Sequence, residues 1–179
     1  RLKHSRAKIV YDFDDAIWIE AISKNNAIFR WLKDGSKTSK IIELADLVFA
    51  GNEYLANYAR DFNKNVVIIP TTIDTDSYKP PLKKETKEVV IGWSGSVTTI
   101  QHFQYAIPAL KILKEKYKDH IKIKVIGDDK YEDASLGIKG LAWNLKTELE
   151  DLSDFDIGLM PLPDDQWTWG KCGLKGLQY

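Results

Sequence analysis

The sequence predicts an α/β protein built from parallel βαβ units on either side of a linker. Short apolar runs alternate with segments of helical periodicity from Ile9 to Met160, the pattern of strands joined by crossover helices. Two of the runs pass straight into small or acidic residues, as strand ends feeding functional loops do. Between Pro70 and Glu88 the periodicity stops, with Pro70, Pro80, Pro81 and a charged run from Lys83 marking a linker.

Taken in order, Ile9-Val10-Tyr11 reads as a buried strand that delivers Asp12, Asp14 and Asp15 to a loop. Residues 16–37 lack a clean period, although Ile28, Trp31 and Leu32 share one helical face. Thr38 to Asp46 reads as a helix and Leu47 to Ala50 as a strand. Asn52 is placed to cap a helix that turns Leu55, Tyr58, Ala59 and Phe62 inward, and Val66 to Ile69 is the next strand. Beyond the linker, Val89 to Trp93 is a strand and Ser94-Gly95-Ser96 a turn. A long helix from Thr99 follows, with Phe103, Ala106, Ile107, Leu110, Leu113 and Tyr117 as its inward stripe. Ile121 to Gly127 is a strand, 128–137 a polar loop and Ile138 to Trp143 a further strand. Thr147 with Glu150 offers a capping box, and Phe155 to Met160 closes the series.

Composition narrows the function. The 26 basic residues balance 26 acidic ones, so no overall field recruits nucleic acid or an anionic membrane. The single cysteine, Cys172, rules out an internal disulfide and fits a reducing compartment, which makes a cytoplasmic address the expectation, with peripheral membrane attachment of the full-length protein left open. No Cys/His cluster suggests zinc, and no apolar run reaches the roughly 18 residues of a membrane span. The absence of an initiator Met and the stop inside a helical pattern at Leu174 to Tyr179 read as the ends of a piece. The expectation is therefore an inactive fragment whose open sheet edges pair with another copy.

Two segments carry the chemistry of an anion. Gly92, Ser94, Gly95 and Ser96 sit between a strand and a helix, where small residues let backbone N–H groups approach a phosphate. The spacing matches neither the dinucleotide nor the P-loop pattern, so a plain tight turn is the competing reading. The second segment leaves the last strand at Pro161-Leu162, crosses an aromatic loop with Trp167 and Trp169, and enters a helix. Lys171 and Lys175, four apart, share one face of that helix in this reading. Two cations at a helix start oppose its dipole, which suits a diphosphate between them; the alternative is that both are simply solvated.

The segments VVIGWSGSVTTIQHF, IKIKVIGD, DFDIGLMPLPDDQWTWGKCGLKGLQY and ADLVFAGNEYLANYA…VVIIPTTIDTDSYKP resemble the retaining glycosyltransferases of family 4, the group 1 type, from about residue 9 to residue 179. The resemblance implies two Rossmann-like parallel-sheet domains facing each other (GT-B-like), here both incomplete. Residues 1–78 would be the end of the acceptor-side domain, 79–88 the linker and 89–179 the start of the donor-binding domain. It implies transfer of a sugar from a nucleotide-diphosphate-sugar donor to a saccharide or lipid-linked acceptor, with retention, no cofactor and no metal. On the matching positions, Gly92 to Ser96 face the donor diphosphate, Pro161 and Leu162 lie near the base, and Trp167 and Trp169 flank the donor site as candidates for stacking on sugar. Lys171 and Lys175 fall on a helix that usually carries two glutamates with seven residues between them. Those positions are Gly170 and Gln178 here; Gln178 keeps the ability to bond a ribose hydroxyl, and the lysines would supply charge missing elsewhere.

The aspartates at the first strand's end admit other readings. IVYDFDDA resembles the first motif of haloacid-dehalogenase-like phosphatases, with Asp12 as nucleophile, Asp14 as general acid and IGDDKYED as an acidic metal motif. Ala16 departs from that pattern. Asp12-x-Asp14 also satisfies a metal-binding Asp-x-Asp, and Asp14 or Asp15 could simply cap a turn. Under the favoured resemblance Asp12, Asp14 and Asp15 line the acceptor side, without an assigned base; a non-catalytic nucleotide-binding module is the remaining alternative. Trp18, Trp31 and Trp143 read as packing residues. His4, His102 and His120 read as surface or helix-end residues, and Asp128, Asp129, Glu132 and Asp133 as a solvated loop.

Overall fold

The structure, a computed structural model, describes residues 7–19, 35–79 and 88–179. The chain divides into two compact units, Arg1–Thr72 with Asp164–Gly173, and Ile73–Pro163 with Leu174–Tyr179. The division thus differs from a single break at 79–88: Ile73 to Tyr78 group with the second unit, and ten residues of the expected second half group with the first. The helical face expected from Ile28, Trp31 and Leu32 lies outside the described residues.

In the first unit β1 (Val10–Phe13), α1 (Ser36–Leu44), β2 (Leu47–Ala50), α2 (Glu53–Arg60) and β3 (Val66–Ile68) follow in order. The strands form a parallel sheet ordered β1-β2-β3. Phe13, Val48 and Ala50 on one face meet Ile42 of α1 and Leu55, Ala56 and Ala59 of α2 to form the core. The Asn52 side chain caps α2 by accepting from the Leu55 N–H at 2.9 Å, and Glu53 and Arg60 complement the helix dipole at its two ends. Asn63 donates to the carbonyls of Ile42 and Ala45, at 2.8 and 2.7 Å, closing the end of α1. Tyr58 stacks on Trp18 with centroids 3.7 Å apart, whereas Phe62, beyond the last turn of α2, is exposed rather than inward.

The second unit holds β4 (Val89–Ser94), α3 (Ile107–Tyr117), β5 (Ile121–Ile126), β6 (Glu132–Asp133), β7 (Ile138–Lys139), α4 (Glu148–Ser153) and β8 (Ile157–Gly158). The continuous helix expected from Thr99 is instead a 3-10 helix, Ile100–Tyr105, followed by α3. Pro108 explains the break: it lacks an N–H to reach back one turn and belongs in the first turn of a new helix. Phe103 and Leu110 still point inward, against Ile91, Trp93, Ile121, Ile123 and Val125, while Tyr117 is exposed. The strand order is β5-β4-β8, all parallel.

Within the expected polar loop lies β6, which pairs antiparallel with β7 at the start of the strand expected from Ile138. Its carboxylates shape turns: Asp128 accepts from the Lys130 N–H and Asp133 from the N–H and hydroxyl of Ser135. Thr147 makes no N-cap bond; its hydroxyl donates to Asp151 at 2.8 Å instead, so the expected capping box is absent there. After β8 come two short helices, α5 (Gln166–Trp169) in the first unit and α6 (Leu174–Gln178) in the second. Asp165 and Thr168 form the capping box of α5. Among the described residues no helix is long and apolar enough to cross a membrane.

Lys124, on β5, joins sheet to helix. Its ammonium, on a side chain only 12% exposed, donates to the backbone carbonyl and carboxylate of Asp151 and to Asp154, at 3.2, 3.1 and 3.1 Å. These acceptors lie at the C-terminal end of α4, where a cation is favoured. For Asp151, burial acts to raise the carboxyl pKa, but the bonds from Thr147 and Lys124 prevail and hold it below its ordinary 3.8. A depressed carboxylate stabilises the fold above its unfolded pKa and loses that contribution as pH falls through the folded value. Urea titrations of wild type and Asp151→Asn at pH 7 and pH 3 should show a larger loss on acidification in the wild type; equal losses would contradict the ion pair. Lys124→Met should lower stability by about 1–3 kcal/mol at pH 7, read from the same titrations.

Candidate functional site

Strand order marks the candidate site in the second unit. The crossover from β4 leads through α3 to β5, and the chain then returns to the opposite side of β4 as β8. Where neighbouring strands send their connections in opposite directions, their C-terminal ends part and leave a crevice. Here those ends carry Ser94-Gly95-Ser96 after β4 and Leu159 to Pro163 after β8. Pairing persists up to this edge, with the Leu159 N–H donating to the Gly92 carbonyl at 2.8 Å. Gly127, after β5, adopts φ 121°, and a side chain there would run into the Gly95 carbonyl, so glycine keeps this loop against the β4 turn.

The two glycines of the β4 turn serve packing. A side chain at Gly92 would collide with the Phe155 ring, and one at Gly95 with the Trp93 indole. The turn's amides have internal partners: Ser94 N–H donates to the Tyr179 hydroxyl at 3.0 Å, Gly95 N–H to the Ile126 carbonyl at 2.9 Å, and Ser96 N–H to the Thr99 hydroxyl at 2.9 Å. Lys175, on α6, donates to the Ser94 carbonyl and lies 4.9 Å from the centroid of the Trp93 ring. Gln178 donates to the Tyr78 hydroxyl at 2.9 Å, and Tyr78 in turn to Glu148 at 3.2 Å. Glu148 also accepts from the Trp143 indole at 2.9 Å, which places that exposed tryptophan in a polar network instead of the core. Pro161 and Leu162 are half-buried on the loop leaving β8.

The first unit gathers a second cluster at the end of β1. Lys171 lies 2.9 Å from both carboxylate oxygens of Asp15, donating to Oδ2, and 3.9 Å from the centroid of the Trp167 ring. The Cys172 thiol donates to the Asp14 carbonyl at 3.1 Å; burial pushes its pKa up, with the Thr71 hydrogen bond acting in the opposite direction. A side chain at Gly51 would strike this sulfur. Asp12 and Asp14 are exposed. Trp169, 51% exposed, is held by Asp164 at its indole N–H (2.7 Å), by Asn52 at its carbonyl (3.1 Å) and by the edge of Tyr54. Among the described residues, no group of three His, Cys, Asp or Glu side chains gathers as metal ligands do.

Lys171 and Lys175 therefore do not share a helical face. The helix expected across them is interrupted between Gly170 and Gly173, the latter at φ 75°, and each ammonium has its own partner. Asp15 is an ion-pair partner and not a turn cap. Sequence reasoning missed Tyr78, Glu148 and Tyr179, whose only local signal was an aromatic or acid within a loop or at a helix end.

No protein-family profile matches the chain, and no curated protein matches it. Among solved structures, the chain is similar to a single-residue mutant of S. aureus TarM in complex with Fondaparinux, alpha-GlcNAc-glycerol and UDP, at 15% identity and a TM-score of 0.59. The match covers 87% of this chain and 32% of that one, so the chain spans about a third of that protein's length. The likeness is one of fold: an α/β chain with parallel sheets of the GT-B type.

The Asp15–Lys171 pair is only partly screened, with side chains 39% and 22% exposed. A double-mutant cycle of Asp15→Asn and Lys171→Met, read by urea unfolding, should return a coupling of about 1 kcal/mol. A coupling of zero would mean that the two charges do not hold the 164–173 segment on β1.

Proposed function

We propose that the chain belongs to a glycosyltransferase that moves a hexose from a nucleotide-diphosphate-sugar donor to a saccharide or lipid-linked acceptor. The observation that carries this reading is the β5-β4-β8 order, which puts the β4 turn and the Leu159–Pro163 loop on adjoining strand ends at a switch point, beside the Lys175 ammonium. The UDP in the complex of the fold relative makes uracil the first base to test.

In this reading Lys175 and the β4 turn meet the donor diphosphate, Pro161 and Leu162 lie against the base, and Gln178 and its partner Tyr78 face the ribose hydroxyls. Charge on the leaving diphosphate is stabilised by the ammonium and by backbone amides, with no metal. Retention of configuration is carried over from the family 4 resemblance. The first unit presents the acceptor, with Asp12 and Asp14 exposed at the end of β1. Of the two indoles, Trp169 offers the open face for a sugar, since one face of Trp167 already carries Lys171.

Calorimetric titration with UDP and other nucleoside diphosphates, in the presence of a chelator, tests the reading. UDP should bind, and Lys175→Ala should weaken binding about tenfold or more, the range of a charge-assisted hydrogen bond. Lys171→Ala should matter less, because Asp15 already neutralises that ammonium. Absence of binding by every nucleoside diphosphate, in a chain shown by circular dichroism to be folded, would remove the reading.

A further inference from the structure

The β4 turn poses a question that the proposed function leaves open. A phosphate at the switch point needs N–H donors, yet the Ser94 amide is already spoken for by a side chain from the other end of the unit. Its partner, Tyr179, is seated and not merely nearby. Its ring packs against Phe155, centroids 5.6 Å apart, and over Gly158 of β8, where any side chain would collide with it. Lys175, one turn earlier, donates to the carbonyl of the same Ser94. Both backbone polar groups of one buried residue are thus satisfied by α6 and the residue that follows it.

We propose that the Tyr179 hydroxyl is an internal stand-in for a phosphate oxygen at the Ser94 amide, so that a nucleoside diphosphate binds at the switch point by displacing Tyr179. This rests on the donor-site reading above. The exchange runs in the direction of stronger bonding. Burial pushes the Tyr179 phenol above its ordinary pKa, against the opposite pull of the Ser94 N–H, so at neutral pH it is an uncharged acceptor. A diphosphate oxygen is charged, and charge-assisted bonds to backbone N–H groups are roughly twice as strong as neutral ones. The ammonium of Lys175 is already at the same residue to meet the incoming charge. In the unliganded protein the phenol keeps a buried donor from going unpaired.

The test measures UDP affinity of the wild-type chain, of Tyr179→Phe and of Tyr105→Phe, which removes an exposed hydroxyl elsewhere. With its competitor gone, Tyr179→Phe should bind UDP about two- to tenfold more tightly, matching the modest net worth of one neutral hydrogen bond; Tyr105→Phe should bind as wild type does. Equal or weaker binding by Tyr179→Phe, alongside normal binding by wild type, overturns the displacement while leaving the donor site standing. Failure of all three to bind removes the donor site and the displacement together. A measurement on wild type alone guards against a misfolded variant. Nuclear Overhauser contacts from the Tyr179 ring to Phe155 and Gly158 should vanish at saturating UDP, and their persistence also overturns the proposal.

Discussion

Parallel strands cannot be joined by a tight turn, and this single constraint arranges nearly everything else in the molecule. Each crossover returns the chain to the same starting edge, so every strand of a sheet delivers its C-terminal end to the opposite one. In the first unit that edge receives Asp14 and Asp15 from β1 and Gly51 and Asn52 from β2. In the second it receives the β4 turn, Gly127 and the loop after β8. Residues far apart in sequence meet at these edges because the topology leaves them nowhere else to go. Neither cluster depends on a recognisable local motif.

The way charge is handled follows from that crowding. Lys124, Lys171 and Lys175 each bring an ammonium to a strand or strand end, and each has oxygen partners from a distant segment. Their roles differ in kind. Lys124 and Lys171 meet carboxylates, so the positive charge is largely cancelled on the spot. The bond from Lys175 to Ser94 is to a neutral backbone carbonyl.

How much of this was legible in the sequence depends on whether the signal was local. Strand positions were readable because Leu47 to Ala50 and Val89 to Trp93 are apolar runs and Ile121 to Ile126 alternates lysine with buried apolar residues, whereas β1 runs on through Asp12 to Phe13, past its expected end at Tyr11. The Asn52 cap was readable for the same reason, since the residue and the N–H it serves are three positions apart. The Thr147 capping box failed although its spacing was right, because Asp151 competed for the hydroxyl. The helix assumed across Lys171 and Lys175 failed at its glycines, where a break costs little and the positive φ of Gly173 ends any regular turn. Tyr179, Tyr78 and Glu148 carried little signal, since these partners lie from 70 to 100 positions away.

The two positions at which the family resemblance anticipates glutamates can now be given physical reasons for their departure, and the reasons are unlike. At Gly170 the cause is steric. The residue is buried, and a Cβ there would come within 2.6 Å of the Ala16 Cβ and 2.8 Å of the Ala16 nitrogen, so no side chain of any kind fits while the 164–173 segment rests on the end of β1. At Gln178 a side chain is present, and its amide donates to Tyr78, whose hydroxyl donates to Glu148. A glutamate at 178 could only accept from that hydroxyl, which would then have to leave Glu148, and it would bring a second negative charge toward the same small network. The carboxylate of this network is that of Glu148 on α4, reached from Gln178 through Tyr78. Packing thus holds position 170 to glycine, and hydrogen-bond direction favours an amide over a carboxylate at position 178.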